Sequence, residues 1–134
     1  MGKTSARART ASVTLDAGAL IALDRGDRRM IALLAEAVRG RTIFHVPAGA
    51  LGQAWRDGAT QATLARFLKG EGVRIEALDA HIARASGELC GHSRTRDVID
   101  ASVVLCAREH GGVVLTSDPA DLRRLDGDLP LERV

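Results

Sequence analysis

Aromatic side chains are nearly absent: the chain has no tyrosine, and Phe44, Phe67 and Trp55 are all it carries. The core must therefore be built from Leu, Val, Ile and Ala. Little material is left for a platform on which unpaired bases could stack. Lysine is as scarce. Lys3 and Lys69 are the only lysines among 19 basic residues, the rest being arginine. Arginine forks suit phosphate, yet a GC-rich coding sequence enriches arginine without any function behind it. A formal net charge of +2 names no nucleic-acid partner by itself. No apolar run approaches the roughly 18 residues of a membrane span. The basic opening MGKTSARART lacks the apolar stretch of a secretory signal. The chain reads as cytoplasmic, with no membrane partner. Cys90 and Cys106 lie far apart, in helical patterns among apolar neighbours, and not in CxxC form. They read as two reduced, buried thiols rather than a disulfide or a metal pair.

What is present fits one compact unit. A chain of 134 residues buries about two-thirds of the surface its unfolded form exposes. Residues 1–11 read as a disordered basic arm, and residues 12–134 as a single domain. Gly2-Lys3-Thr4 looks like the end of a phosphate-binding loop, but the upstream glycine and preceding strand are missing.

Strand and helix patterns alternate along the sequence. Ser12–Leu15 reads as a short buried strand ending at Asp16, with a short helix over 17–23. A second helix follows Asp27, runs to about Arg39 and is closed by Gly40. Thr42–Val46 is the second strand, and Pro47 opens a helix carrying Leu51, Gln53, Ala54 and Trp55. Gly58 breaks it, and Thr60–Leu68 forms another. Val73–Glu76 is the third strand. Asp79 caps the next helix, Gly91–Arg94 is a loop, and Thr95 caps a long helix over Arg96–His110. Gly111-Gly112 stops it before the fourth strand, Val113–Thr116. Asp118-Pro119 starts a last helix, and a short strand follows Pro130. This alternation predicts a three-layer α/β/α domain with a short, mainly parallel sheet of four to five strands. In such sheets the ligand crevice lies beyond the carboxyl ends of the strands.

Acidic residues collect where that crevice is predicted. Asp16 directly follows the first strand and Asp118 the fourth. Asp97 and Asp100 stand three apart near the start of the long helix, and Asp118 and Asp121 three apart at the last one, spacings that share a helix face. Asp16 and Asp118 also suit helix N-caps, the latter with Pro119 at the first helical position, and Asp97 suits the helix dipole. Asp100 is harder to explain so, because Val98-Ile99 and Ala101–Leu105 make its surroundings apolar. Clustered carboxylates need a cation to stay ionised, and all-oxygen ligands favour Mg²⁺ or Mn²⁺ over zinc. His45, His81, His92 and His110 are scattered without ligand spacing. His45 reads as a core or surface residue, the alternative being an approach to the acids from the second strand.

These residues resemble the PIN-domain ribonuclease family, in particular the VapC-type toxins of type II toxin–antitoxin systems. The similarity runs from Ser12 to about Leu125. It rests on Thr14–Leu23, on Asp97-Val98-Ile99-Asp100-Ala101 and on Leu115–Leu122, in that order and spacing. It implies a PIN-like fold and a magnesium or manganese site in which Asp16, Asp100 and Asp118 are the metal-binding and catalytic residues, supported by Asp97 and Asp121. It also implies an acidic ligand on the middle helix, and that place is held by Gln53, which brings no charge. Gln53, Thr116 and Ser117 then orient water or metal, and Arg25, Arg56, Arg94 and Arg96 are candidates for holding RNA. The implied activity is metal-dependent hydrolysis of RNA phosphodiesters, with an antitoxin partner and a homodimer. The apolar segment Met30–Val38 is either a groove for an antitoxin helix or ordinary core.

Other readings compete. Gln53 motivates a catalytically impaired PIN domain that serves as an RNA- or protein-binding module. Receiver-like domains also place aspartates at strand ends but need a lysine after a late strand, and neither Lys3 nor Lys69 is so placed. A haloacid-phosphatase arrangement needs an Asp two residues after the first, where this chain has Gly18.

Overall fold

The computed structural model describes residues 11–134; the proposed N-terminal arm, apart from Ala11, lies outside the described residues. The chain runs through β1 (Ser12–Leu15), α1 (Ala17–Asp24), α2 (Arg28–Arg39), β2 (Ile43–Pro47), α3 (Ala48–Ala54) and α4 (Ala62–Leu68). It continues through β3 (Val73–Glu76), α5 (Ala80–Ser93), α6 (Val98–His110), β4 (Val113–Thr116), α7 (Pro119–Leu125) and β5 (Leu131–Arg133). All strand pairings are parallel, and the sheet order is β3-β2-β1-β4-β5. The parallel α/β architecture predicted from the alternation is thus the one observed.

This order fixes where a crevice can form. The chain steps outward from β1 to β3, then crosses back so that β4 pairs with the other side of β1. Connections leaving the carboxyl ends of β1 and β4 therefore run in opposite directions, and a gap opens between them. Asp16 stands at one lip of that gap, and Ser117 and Asp118 at the other.

The core is aliphatic, as the shortage of aromatics requires. Leu15, Leu20, Met30, Val46, Leu64, Val103, Val104, Val114 and Leu122 are almost wholly buried. Phe44 and Phe67 meet edge to face, with ring centroids 5.4 Å apart. Helix α6 reads as nearly continuous apolar sequence because it is buried on several sides: Ala101, Ser102, Val103, Val104, Cys106 and Ala107 all lie within the interior. Trp55 packs partly buried against this core. The segment Met30–Val38 divides, with Met30 and Leu34 in the core and Ile31 and Val38 exposed.

Several boundaries differ from the sequence reading. Strand β2 runs through Pro47, which therefore ends the strand rather than opening α3, and α3 stops at Ala54, short of Trp55 and Gly58. Helix α5 continues through Gly91 to Ser93 and stops at Arg94, whose φ of 56° is left-handed. The cap of α6 is Asp97 rather than Thr95, because Asp97 Oδ1 accepts the Asp100 N–H at 3.0 Å. Helix α4 starts at Ala62, two residues later than read, and Gln61 precedes it without capping it by its side chain. Gly112 is required on two counts. Its φ is 81°, and a β-carbon there would fall 1.8 Å from the Ser12 carbonyl oxygen. Among the described residues no helix is long and apolar enough to cross a membrane.

Candidate active site

Each aspartate of the crevice is placed by a local device. Asp16 caps α1, its Oδ1 accepting the Ala19 N–H at 2.9 Å, and only 7% of the residue remains exposed. Asp97 caps α6 and thereby sets Asp100 in its first turn. Asp118 occupies the capping position of α7 without making a side-chain cap bond, so its carboxylate is free for other work. The Thr116 hydroxyl, fully buried, accepts the Asp118 N–H at 2.9 Å and lies near enough to the Asp16 carboxylate to favour its charged form. One threonine thus stands beside both lips of the gap.

The electrostatics show that these acids share one space. Burial raises Asp16 above the usual carboxylate range; Thr116 and the Ala19 N–H oppose this, and the nearby Asp118 charge adds to it. Asp100 is pushed up to about 7, first by burial and then by the charges of Asp97, Asp16 and Asp121. Asp121 is raised because its carboxyl meets that of Asp118. Carboxylates from three distant segments therefore repel one another across the gap. They form an open array. Among the described residues, the ligating groups that close to within 4.8 Å of one another are elsewhere.

Gln53, on α3, is exposed. It lies one turn beyond Gly49 on the same flank. A β-carbon at Gly49 would meet Ile99 Cδ1 at 2.5 Å, so this flank faces the start of α6. Ser117 is exposed and sits against Gly18: a β-carbon at 18 would fall 1.9 Å from Ser117 Oγ.

The arginines separate. Arg94 and Arg96 line a groove of about 450 Å³ together with Asp97, Asp100 and Asp121. Arg25 lines a neighbouring hollow with Gly18 and Ser117. Arg56 does neither, because its guanidinium turns back onto the carbonyls of Gly52 and Trp55, at 3.2 and 2.7 Å. Arg124, missed from the sequence, lines the same groove as Arg94 and Arg96. The signal was there: it follows Asp121 by three residues and so shares its helix face. His45 does not approach the acids. It is buried against Glu76 and His110.

A parallel α/β sheet with an acidic gap at its switch point places the candidate site where such sheets bind their ligands. Comparison with known families is more specific: residues 13–128 match the PIN domain. The chain belongs to the PIN domain family. Solved structures share its fold. VapBC2 from Rickettsia felis, bound to a DNA fragment from its promoter, matches with a TM-score of 0.65 and 15% identity over 92% of this chain and 98% of that one. FitAB bound to the IR36 DNA fragment matches with a TM-score of 0.62 and 14% identity, over 90% and 94%. FitAcB from Neisseria gonorrhoeae gives 0.61 and 15%, over 89% and 95%. No curated protein matches significantly.

Proposed function

We propose that this chain is a divalent-metal-dependent endoribonuclease, the toxin component of a VapC-type toxin–antitoxin pair. The observation that carries this is the convergence of Asp16, Asp97, Asp100, Asp118 and Asp121 at the β1–β4 gap, with Asp100 raised to about 7 by burial and by its neighbours' charges. So many like charges with only oxygen donors call for a hard cation. Asp16, Asp100 and Asp118 would hold Mg²⁺ or Mn²⁺, which when bound supplies positive charge against the scissile phosphate and activates water.

The chain's own groups do the rest. Thr116 holds the Asp118 backbone and favours the charged form of Asp16. Asp97 or Asp121, flanking the three ligands, takes the proton released as water oxygen attacks phosphorus, and that proton passes on to the ribose oxygen that leaves as the P–O bond breaks. Ser117, exposed beside Gly18, orients the water or the phosphate. Arg94, Arg96 and Arg124 bind the RNA backbone along the groove, and Arg25 extends this surface past Ser117. Recognition rests on backbone and shape, given the few aromatics.

The structural relatives are two-component assemblies, which supports an antitoxin partner here. The exposed Val38 stands beside Ile43, Phe44, Phe67 and Val73 in an apolar hollow of about 820 Å³, and this hollow would receive an apolar helix face of the antitoxin. A homodimer is the assembly we expect.

The test is incubation of antitoxin-free protein with total cellular RNA and Mg²⁺ or Mn²⁺, with a chelator control and Asp100→Asn alongside. Discrete fragments that require the metal and vanish in the variant support the proposal. Gln53 favours a second reading, a binding module without turnover, because this neutral side chain occupies the flank facing α6. Folded protein that binds RNA but cuts nothing under either metal would establish that reading instead.

A further inference from the structure

A second polar cluster lies away from the acids, where α6 ends against β2 and β3. It contains His45, Glu76, Cys106 and His110. The imidazoles of His45 and His110 stack with centroids 3.7 Å apart and planes at 10°. Glu76 bridges them, its Oε2 lying 3.2 Å from His45 Nδ1 and its Oε1 3.3 Å from His110 Nε2. The second contact lacks hydrogen-bond alignment, so His110 Nε2 is a buried nitrogen without a hydrogen-bond partner. Cys106 stands one helical turn before His110 and points the same way, its Sγ 3.9 Å from the Thr14 hydroxyl.

One ring nitrogen of His45, one of His110 and the Cys106 sulfur all lie within 4.8 Å of one another. His45 and Cys106 are almost completely buried. A small cavity lined by Glu76, Cys106 and Glu109 opens beside them. A buried thiol, two stacked imidazoles and a carboxylate gathered in one place are an unusual use of core volume, since an aliphatic core would be less costly. None of these groups belongs to the aspartate array.

We propose that Cys106, His45 and His110 form a binding site for a borderline-soft divalent cation of the zinc, cobalt or nickel class, with Glu76 as the fourth donor. One thiolate, two imidazoles and one carboxylate match the tetrahedral preference and donor chemistry of such ions. The hard Mg²⁺ that the aspartates suit is poorly served here. Burial holds the Cys106 thiol at about 12, so the ion must displace its proton: one M–S bond forms, one S–H bond breaks, and H⁺ leaves to solvent. Imidazole lone pairs lie in the ring planes, and parallel stacked rings cannot both aim at one ion. Binding therefore turns the two rings apart, and the ion ties the end of α6 to β2 and β3.

The experiment titrates Co²⁺ into the reduced, chelator-treated full chain while excess Mg²⁺ occupies hard sites. The expected result is one equivalent bound per chain, with a sulfur-to-cobalt charge-transfer band in the near ultraviolet and tetrahedral d–d bands in the visible. Cys106→Ser abolishes the charge-transfer band. His110→Ala, at a half-exposed helix end, weakens the affinity by roughly tenfold or more. Asp100→Asn changes neither. Circular dichroism confirms that each variant is folded. Co²⁺ binding without a thiolate band, no binding, or binding indifferent to both Cys106→Ser and His110→Ala overturns the proposal. Should Cys106→Ser not fold, the wild-type spectrum and the His110→Ala affinity decide it.

Discussion

Gly18 sits directly beneath Ser117, so close that a β-carbon at position 18 would lie 1.9 Å from the Ser117 hydroxyl oxygen and 2.9 Å from its Cβ. The two lips of the gap touch here, and their spacing is set by the missing side chain. Gly18→Ala is therefore expected to destabilise the fold by about 1–3 kcal/mol through overpacking, as read by urea unfolding. Ser117→Gly in the same chain should recover most of that loss. If the two substitutions prove additive instead, the contact does not limit the approach.

Asp100 gives the stability a pH dependence of definite sign. Its value in the folded chain, about 7, lies above the ordinary 3.8. Between those values the folded state holds a proton that the unfolded chain has released. The contribution of this group is therefore fully present below 3.8 and is lost as pH rises through 7. In chelator, Asp100→Asn is expected to raise the melting temperature by a few degrees at pH 8 and to leave it nearly unchanged at acid pH. A loss of stability at pH 8 would count against the repulsion.

Asn caps a helix about as well as Asp. Asp97→Asn should thus keep the bond to the Asp100 N–H while removing one of the charges that raise Asp100. The expected outcome is an unchanged or slightly higher melting temperature and an Asp100 titration, followed by carboxyl NMR, that moves down toward the ordinary range. A titration that stays near 7 would assign the shift to burial and to the charges of Asp16 and Asp121.

Gln53→Glu adds a negative charge on the α3 flank that faces the start of α6. Tighter Mn²⁺ binding is the expected result, measured by calorimetry in wild type and variant, because a further carboxylate joins the array. Equal affinities would show that residue 53 does not reach the ion.

Arg124→Ala should weaken RNA binding across sequences and reduce the salt dependence by about one counterion. Arg56→Ala should do neither, since its guanidinium is held by its own helix carbonyls. Filter binding at several salt concentrations separates the two.

The acids were legible in sequence because a parallel sheet brings every strand's carboxyl end to one edge. An aspartate immediately after a strand then needs no tertiary knowledge to be placed. The choice between Thr95 and Asp97 as the cap of α6 was not legible in that way, because both are good capping residues and only the backbone decides which one meets a free N–H. Arg56 was misplaced for a similar reason. A long side chain can curl onto its own helix, and composition does not report which way it turns. The His45–His110 stack joins a strand to a helix some sixty residues away, beyond any local spacing. The one-turn interval between Cys106 and His110 was visible, but it points nowhere until β2 brings in a third donor.

Ser12 opens β1 at the amino edge of the sheet, whereas the Val134 N–H is bonded to the Thr116 carbonyl at 2.9 Å, beside the aspartate gap. The two ends of the described chain are therefore not equivalent as handles. A fluorophore or affinity tag joined after Val134 would crowd the mouth of the crevice and compete with whatever enters it. The same group joined ahead of Ser12 would be tethered from the far side of the sheet, leaving that mouth open to observation.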